Sequence, residues 1–462
     1  MQYVSTRGKA PALSFDDVLL TGLARDGGLY LPESWPQFSA DEIREMRGLS
    51  YADMAVRVMY PFVEGSIPHD DFNELVQDAY KDFGHPSVAP LKQLDSDQWV
   101  MELFHGPTLA FKDYALQLLG RLFDYVLKKR GEKVTIVGAT SGDTGSAAIE
   151  ACRDRECIEI FIMHPKGRVS DVQRCQMTTV LSENVHNIAL EGTFDDCQDA
   201  VKAMFNDMDF RDKYNLSAVN SINWARIMAQ IAYYFWAAVQ VGAPDRKTRF
   251  AVPTGNFGNV FAGYCAKQMG LPIDSFIIGS NRNDILTRYF NTGVMTMETV
   301  EPSLSPSMDI QISSNFERLL AQHYDKDGSA LTQALSEFRD TGEVDFGKNR
   351  WEAMCAEFSA QSLDDGETKK AIADFYQSTG ELLDPHSVIG CAVARDGEKT
   401  DAVTVALATA HPAKFPAAVE EASGVHPALP ERMADLFERE ERFTVLENDL
   451  KTVQTYIEET LA

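Results

Sequence analysis

The chain has 462 residues, 44% hydrophobic and 24% charged, proportions of an ordinary globular protein that exclude wholesale disorder and predict about three domain-sized units. Its 43 Lys and Arg against 69 Asp and Glu leave a formal net charge of −26, a field that repels nucleic acid and anionic membranes, so neither is an expected partner. A small anionic substrate would need a local cationic pocket inside this negative protein.

The seven cysteines are scattered and contain no CxxC pair, so reduced thiols are expected and neither a disulfide framework nor a metal site. The N-terminal MQYVSTRGKA lacks an apolar signal core. The richest apolar run, IAYYFWAAV from Ile231, falls short of the ~20 residues that a membrane span needs. A cytoplasmic location is expected.

In chain order, residues 1–90 read as helices with turns such as DGGLYLPESWP (26–36). HGPTLAF then leads into a helical pattern after Lys112, with Ala115, Leu118, Leu119, Leu122, Val126 and Leu127 at helical spacing. VTIVGAT (134–140) reads as a buried strand, SGDTGSAAIEACRD as a loop opening a helix, IEIFIMHP (158–165) and NVHNIALEG as strands, and FDDCQDAVKAMFND as a helix. Residues 249–270, 275–290 and 402–422 repeat the order strand, loop, helix. Such alternation predicts an α/β fold with parallel sheets covered on both faces. The Pro/Ser-rich VEPSLSPSMDIQISS (300–314) reads as a crossing segment, and residues 315–383 as a charged helical insertion.

Parallel sheets bind ligands beyond the carboxyl ends of their strands, and three such ends carry unusual loops. In GATSGDTGSAA (138–148) small residues expose backbone amides at a helix start, with hydroxyls from Thr140, Ser141 and Thr144, which suits a carboxylate or phosphate. A plain turn with Asp as N-cap is the alternative, and Asp143 must in either case face something other than an anion. In PTGNFGNVFAG (253–263) Gly255 and Gly258 allow close approach of a ligand, Asn256 and Asn259 can donate, and no Lys-Ser/Thr follows as in a P-loop. In ATAHPAKF (408–415) Thr409 tips a strand, His411 reads as a loop residue and Lys414 as a solvated charge.

Lys112 sits at a helix start, where a cation opposes the helix dipole. Burial and a neighbouring positive field favour a neutral, nucleophilic amine. Pyridoxal phosphate needs a lysine for its imine, a phosphate cup, a partner for its ring nitrogen and a site for the substrate carboxylate. Lys112, the GNFGN loop, Thr409 and the TSGDT loop match those needs. VNSINWARIMAQ (219–230) adds Asn220, Ser221, Asn223 and, one turn into a helix, Arg226: donors suited to a second phosphate, or else a capping box with an exposed arginine.

On these residues, together with YVSTRG, GLARDGGLYLPE, SPSMDIQISSNFERLL and LDPHS, the chain resembles the threonine synthases, pyridoxal-phosphate enzymes of fold type II, in their larger bacterial and fungal form. The resemblance runs nearly end to end. It implies an N-terminal domain over residues 1–95, a catalytic α/β core of two sheet-containing subdomains over 96–299 and 384–462, and a mainly helical insertion over 300–383. It implies that Lys112 holds the cofactor as an imine, that Gly255, Asn256, Phe257, Gly258 and Asn259 hold its phosphate, and that Thr409 meets its ring nitrogen. Thr140, Ser141, Gly142, Asp143 and Thr144 would take the substrate's carboxylate and the cofactor's phenolic side, with Asp143 as phenolic partner, proton relay or loop anchor. Asn220, Ser221 and Arg226, helped by Thr144, would take the substrate's phosphate.

The implied reaction, the last step of threonine biosynthesis, turns O-phospho-L-homoserine and water into L-threonine and phosphate by γ-elimination and β-addition. A monomer is expected, without the S-adenosylmethionine-responsive extension of the plant form. The rivals are a threonine dehydratase or β-replacement enzyme of the same fold, a catalytically silent homologue that binds the cofactor, and a nucleotide-binding protein using GATSGDTG. Asp113 is expected as a helix N-cap.

Overall fold

Two apolar runs without alternation, Ile158–Pro165 and Thr248–Pro253, form strands buried on both faces, as expected of parallel strands inside a sheet. They belong to different sheets in the computed structural model, which describes residues 1–218, 220–398 and 400–462. Val219, the first residue of the VNSINWAR stretch, lies outside the described residues. The chain divides into two units, one of Met1–Phe111 with Ser221–Pro427 and one of Lys112–Asn220 with Ala428–Ala462.

The first unit holds a six-stranded sheet in the order Phe358–Ser362, Ile273–Ser280, Thr248–Pro253, Val403–Ala408, Gln98–Glu102, Leu91–Gln93. All neighbours are parallel except the last pair. Helix Pro385–Asp396 packs on the sheet, and a side chain at Gly390 would come within 2.8 Å of the Pro253 ring. Helix Trp224–Gln240, which carries the apolar run from Ile231, is buried nearly all round, the mark of a core helix rather than an amphipathic one. Helix Tyr51–Val63 of the N-terminal region packs against it, with the Phe62 and Trp224 rings 5.6 Å apart. A buried pair, Arg7 to Glu317 at 3.0 Å, ties YVSTRG to NFERLL.

Residues 300–383 are helical in large part, but they are more than an insertion. Phe358–Ser362 pairs in parallel with Phe276–Ser280 and forms the edge of the main sheet. Within a charged helical block, FSAQS has only short alternation to mark it, and the pairing is supplied by a strand some 80 positions earlier.

The second unit holds a fully parallel sheet in the order Thr444–Glu447, Val185–Glu191, Ile158–Pro165, Val134–Ala139, Leu216–Ser217. The C-terminal helix Leu450–Leu461 closes its core through Val453 and Ile457. Helix Lys112–Arg130 crosses helix Asp143–Cys152 at Gly120, where an added Cβ would lie 2.2 Å from the Ala151 carbonyl oxygen. Among the described residues no helix is long and apolar enough to cross a membrane, and no cluster of His, Cys, Asp and Glu is placed to hold a metal ion.

Two expectations fail here. Asp113 lies inside the first turn of its helix and is fully buried; it faces Arg432, whose guanidinium burial lowers and Asp113 partly restores. Lys414 is fully buried and donates to the Thr108 carbonyl at 2.6 Å. In both cases the partner is far away in sequence, which leaves the local pattern uninformative.

Gly120→Ala is expected to destabilise the protein by about 1–3 kcal/mol through overpacking, measured by urea unfolding. His164 is buried in the second unit and its imidazole is pushed down to about 4 by burial. The unfolded chain therefore takes up a proton below pH ~6.5 that the folded chain refuses until pH ~4, so stability falls with pH across that window by about 3 kcal/mol. His164→Gln is expected to flatten that part of the stability profile.

Candidate active site

In the second unit, strand Val134–Ala139 delivers the chain into the TSGDT loop. The Thr140 hydroxyl oxygen accepts from the amides of Gly142 at 3.0 Å and Gly145 at 2.8 Å, which folds the loop around it. Only glycine fits at both places. Gly142 has φ +140° and abuts the Gln173 side chain, and a Cβ on Gly145 would meet Thr140 Cγ2 at 2.4 Å. Ser141 is exposed and Thr144 half-buried.

Lys112 is the first residue of helix Lys112–Arg130 and is only 9% exposed. Its Nζ lies 3.4 Å from Asp143 Oδ2, and Asp143 Oδ1 accepts from Gln173 Nε2 at 2.8 Å. The acidic member of the loop thus faces the amine, and the positive field expected at the helix start is opposed by a carboxylate. Gln173, in the helix Asp171–Thr178 that Ser170 caps, is a residue the sequence did not single out. Nothing in its neighbourhood along the chain signals it. Asn220 ends this part of the unit, with its side-chain oxygen buried and without a partner among the described residues.

In the first unit, strand Thr248–Pro253 leads into GNFGN and helix Gly258–Gln268. Phe257 stands in the left-handed region at φ +61°, a strained position for a residue with a Cβ. It is held there by packing against the rings of Phe316 at 5.2 Å and Phe358 at 6.0 Å. Asn259 Oδ1 accepts from the hydroxyls of Tyr233 at 2.6 Å and Tyr234 at 2.9 Å. In this arrangement Nδ2 is buried without an acceptor among the described residues.

Arg226 lies in the first turn of helix Trp224–Gln240, capped by the Asn223 side chain on the Ala225 amide at 2.9 Å. The capping box expected as an alternative is half present, but its arginine is buried, not exposed. Its Nε and Nη1 have no partner among the described residues, and burial pulls the guanidinium down to about 10. Thr409 follows strand Val403–Ala408; its amide donates to Ser387 Oγ at 2.8 Å and its carbonyl accepts from the Phe111 amide at 2.8 Å. Ser387 is set by Asp384, which caps helix Pro385–Asp396. LDPHS therefore builds the support of Thr409, a task its sequence alone does not reveal.

Three family models match the chain: threonine synthase N terminus over residues 2–80, pyridoxal-phosphate dependent enzyme over 85–340, and threonine synthase, C-terminal, over 387–457. A threonine synthase of Pseudomonas aeruginosa is 57% identical over 459 residues, covering 99% of this chain and 98% of that protein. The crystal structure of pyridoxal-phosphate-bound threonine synthase from Brucella melitensis is 55% identical, with a TM-score of 0.99 over 100% of this chain and 99% of that one. Threonine synthase from Escherichia coli is 30% identical, with a TM-score of 0.82 over 99% and 100%. The chain belongs to the threonine synthase family. Its architecture is that of the fold-type-II pyridoxal-phosphate enzymes.

The cofactor of a threonine synthase is pyridoxal phosphate, and the residues present fit it. The buried Asn259 Nδ2 lacks an acceptor, as does the uncapped start of helix Gly258–Gln268, and a phosphate supplies acceptors to both. Lys112 offers a buried primary amine to an aldehyde. The unpaired Arg226 suits a further anion. Arg226→Met removes a buried charge that no described residue neutralises. Its melting temperature in phosphate-free buffer is expected to equal or exceed that of the wild type. The rise that inorganic phosphate gives the wild type is expected to vanish; calorimetry at several phosphate concentrations measures both.

Proposed function

We propose that the chain converts O-phospho-L-homoserine and water into L-threonine and phosphate, the closing step of threonine biosynthesis. Full-length likeness to threonine synthases supports this. The observation that carries it against a dehydratase or a β-replacement enzyme is Arg226, a buried guanidinium with two unpaired nitrogens, in a stretch separate from the cofactor-phosphate loop. A substrate without a phosphate would give that arginine nothing to neutralise.

Pyridoxal phosphate, when bound, supplies the electron sink that acidifies the substrate's Cα and Cβ protons. Lys112 holds the cofactor until the substrate's amine releases it, and its free amine then takes the Cα proton and returns protons at the carbons that need them. Asp143, 3.4 Å from that amine and steadied by Gln173, keeps Lys112 oriented and can exchange a proton with it. Residues 255–259 hold the cofactor phosphate through backbone amides and Asn259 Nδ2. The Thr409 hydroxyl meets the ring nitrogen; both backbone groups of Thr409 are already engaged, so the hydroxyl is what it has to offer. The Thr140 oxygen is occupied by two loop amides, which leaves its hydroxyl hydrogen for the substrate carboxylate, beside Ser141, Gly142 and Thr144. Asn220, Ser221 and Arg226 hold the substrate phosphate and favour its departure by neutralising the charge it carries away.

The enzyme is further proposed to act as a monomer in the cytoplasm, with no nucleic-acid partner; the charge of −26 supports the last point. Incubation with O-phosphohomoserine is expected to release phosphate and threonine in equal amounts. Arg226→Ala is expected to lower kcat/KM by about 100-fold, as loss of charge-assisted bonds worth about 3 kcal/mol. Unchanged turnover in that variant would point to another lyase of this fold, and phosphate without threonine to abortive elimination.

A further inference from the structure

The stretch SPSMDIQISSNFERLL contributes no residue to the chemistry above, yet it is packed beneath the first unit's two anion-binding stretches. Asn315 is fully buried at the N-cap of helix Phe316–His323. Its backbone amide donates to the Asn256 carbonyl at 3.1 Å, and its Nδ2 donates to the carbonyls of Asn256 at 3.1 Å and Ser221 at 3.2 Å. Ser313 Oγ donates to the Gly255 carbonyl at 2.7 Å. Arg318, also fully buried, donates through Nη2 to the Ile222 carbonyl at 2.6 Å, through Nε to the Tyr30 carbonyl at 3.0 Å, and through Nη1 to Asn315 Oδ1.

In a trans peptide the carbonyl oxygen of one residue and the amide hydrogen of the next point in opposite directions. Holding the carbonyls of Gly255 and Asn256 therefore turns the amides of Asn256 and Phe257 away from Ser313 and Asn315. Holding those of Ser221 and Ile222 does the same for the amides of Ile222 and Asn223. Among the described residues none of these four amides has an acceptor. The same donors also keep four carbonyl oxygens, each a partial negative charge, turned away from the anions.

We propose that Ser313, Asn315 and Arg318 are positioning residues that aim the amides of two phosphate-binding stretches at once, with Asn315 shared between residues 255–259 and residues 221–226. This rests on the reading of those stretches as the cofactor-phosphate and substrate-phosphate sites. Arg318 is suited to the task because its planar fork reaches three acceptors in fixed directions, which a lysine cannot do. All three acceptors are neutral, and burial lowers the guanidinium to about 10 although the nearby Glu317 opposes the shift. No carboxylate among the described residues bonds to it. One stands next to it in sequence, Glu317, but that side chain is taken by Arg7 and Thr6.

The test uses the full-length holoenzyme and three variants, each with two readouts. One is the dissociation constant of pyridoxal phosphate, followed by its absorbance. The other is the inhibition constant of inorganic phosphate, read with KM and kcat for O-phosphohomoserine. Asn315→Asp keeps shape and the Arg318 contact but replaces the shared donor by an oxygen facing two carbonyls. It is expected to raise both constants at least tenfold, with kcat changing less than KM. Ser313→Ala is expected to weaken the cofactor alone. Glu317→Gln, in the same turn but outside the clamp, is expected to lower the melting temperature while leaving both constants within twofold.

Asn315→Asp moving only one constant, or neither, overturns the shared role, and Glu317→Gln moving both as far reduces it to general packing. Should Asn315→Asp fail to fold, an unchanged cofactor constant in Ser313→Ala overturns the assignment by itself. Wild-type protein that binds pyridoxal phosphate and inorganic phosphate but does not turn over O-phosphohomoserine would sink the functional reading alone, because neither affinity depends on that substrate.

Discussion

A loop that offers amide hydrogens to an anion must put the preceding carbonyl oxygens somewhere, and they point the opposite way, into the protein. Every exposed donor therefore implies a buried acceptor, and a buried acceptor left unpaired is costly. Much of the first unit answers to that constraint. Ser313, Asn315 and Arg318 satisfy the carbonyls of Gly255, Asn256, Ser221 and Ile222. Ser387 and Phe111 occupy the backbone of Thr409 and leave its hydroxyl. In the second unit Thr140 does the equivalent from inside its loop, accepting two amides with one oxygen.

Charge follows the same division. The protein is strongly acidic overall, yet the first unit buries Arg226, Arg249 and Arg318 with no carboxylate bonded to any of them among the described residues, and burial lowers all three guanidinium groups. A buried cation with neutral or missing partners is a stability cost, and a site for anionic ligands is the circumstance in which that cost returns something. Arg7, buried in the same unit, shows the ordinary arrangement: a two-pronged pair with Glu317. Arg249, held by the Thr404 hydroxyl and the Glu398 carbonyl, shows that burial without a carboxylate does not by itself mark an anion site.

The candidate site was legible in the sequence where chemistry concentrates in a few consecutive residues. Lys112 at a helix start, the Gly-rich loops after two strands and Arg226 one turn into a helix each carry a local pattern, and the structure sets each of them on the element expected. It was illegible where a residue acts through a distant partner. Gln173 sits in an unremarked position, and Ser387 and Asn315 in motifs whose sequence assigns them no task; their partners are Asp143, Thr409 and Asn256. Lys414 and Asp113 looked like a solvated charge and a helix cap for the same reason: only Thr108 and Arg432 show otherwise.

The sequence by itself determined the α/β class, the alternation of strand, loop and helix, the family and the candidate site residues, because those are set by period, by glycine and by reactive side chains along short stretches. The tertiary structure decided the rest: that FSAQS, within a helical block, becomes the edge strand of the main sheet; that the C-terminal residues divide between two units; and that Asp143 faces Lys112. Those facts turn on pairings between residues tens to hundreds of positions apart. A hydrogen bond is chosen by distance in space, and local pattern holds no record of it.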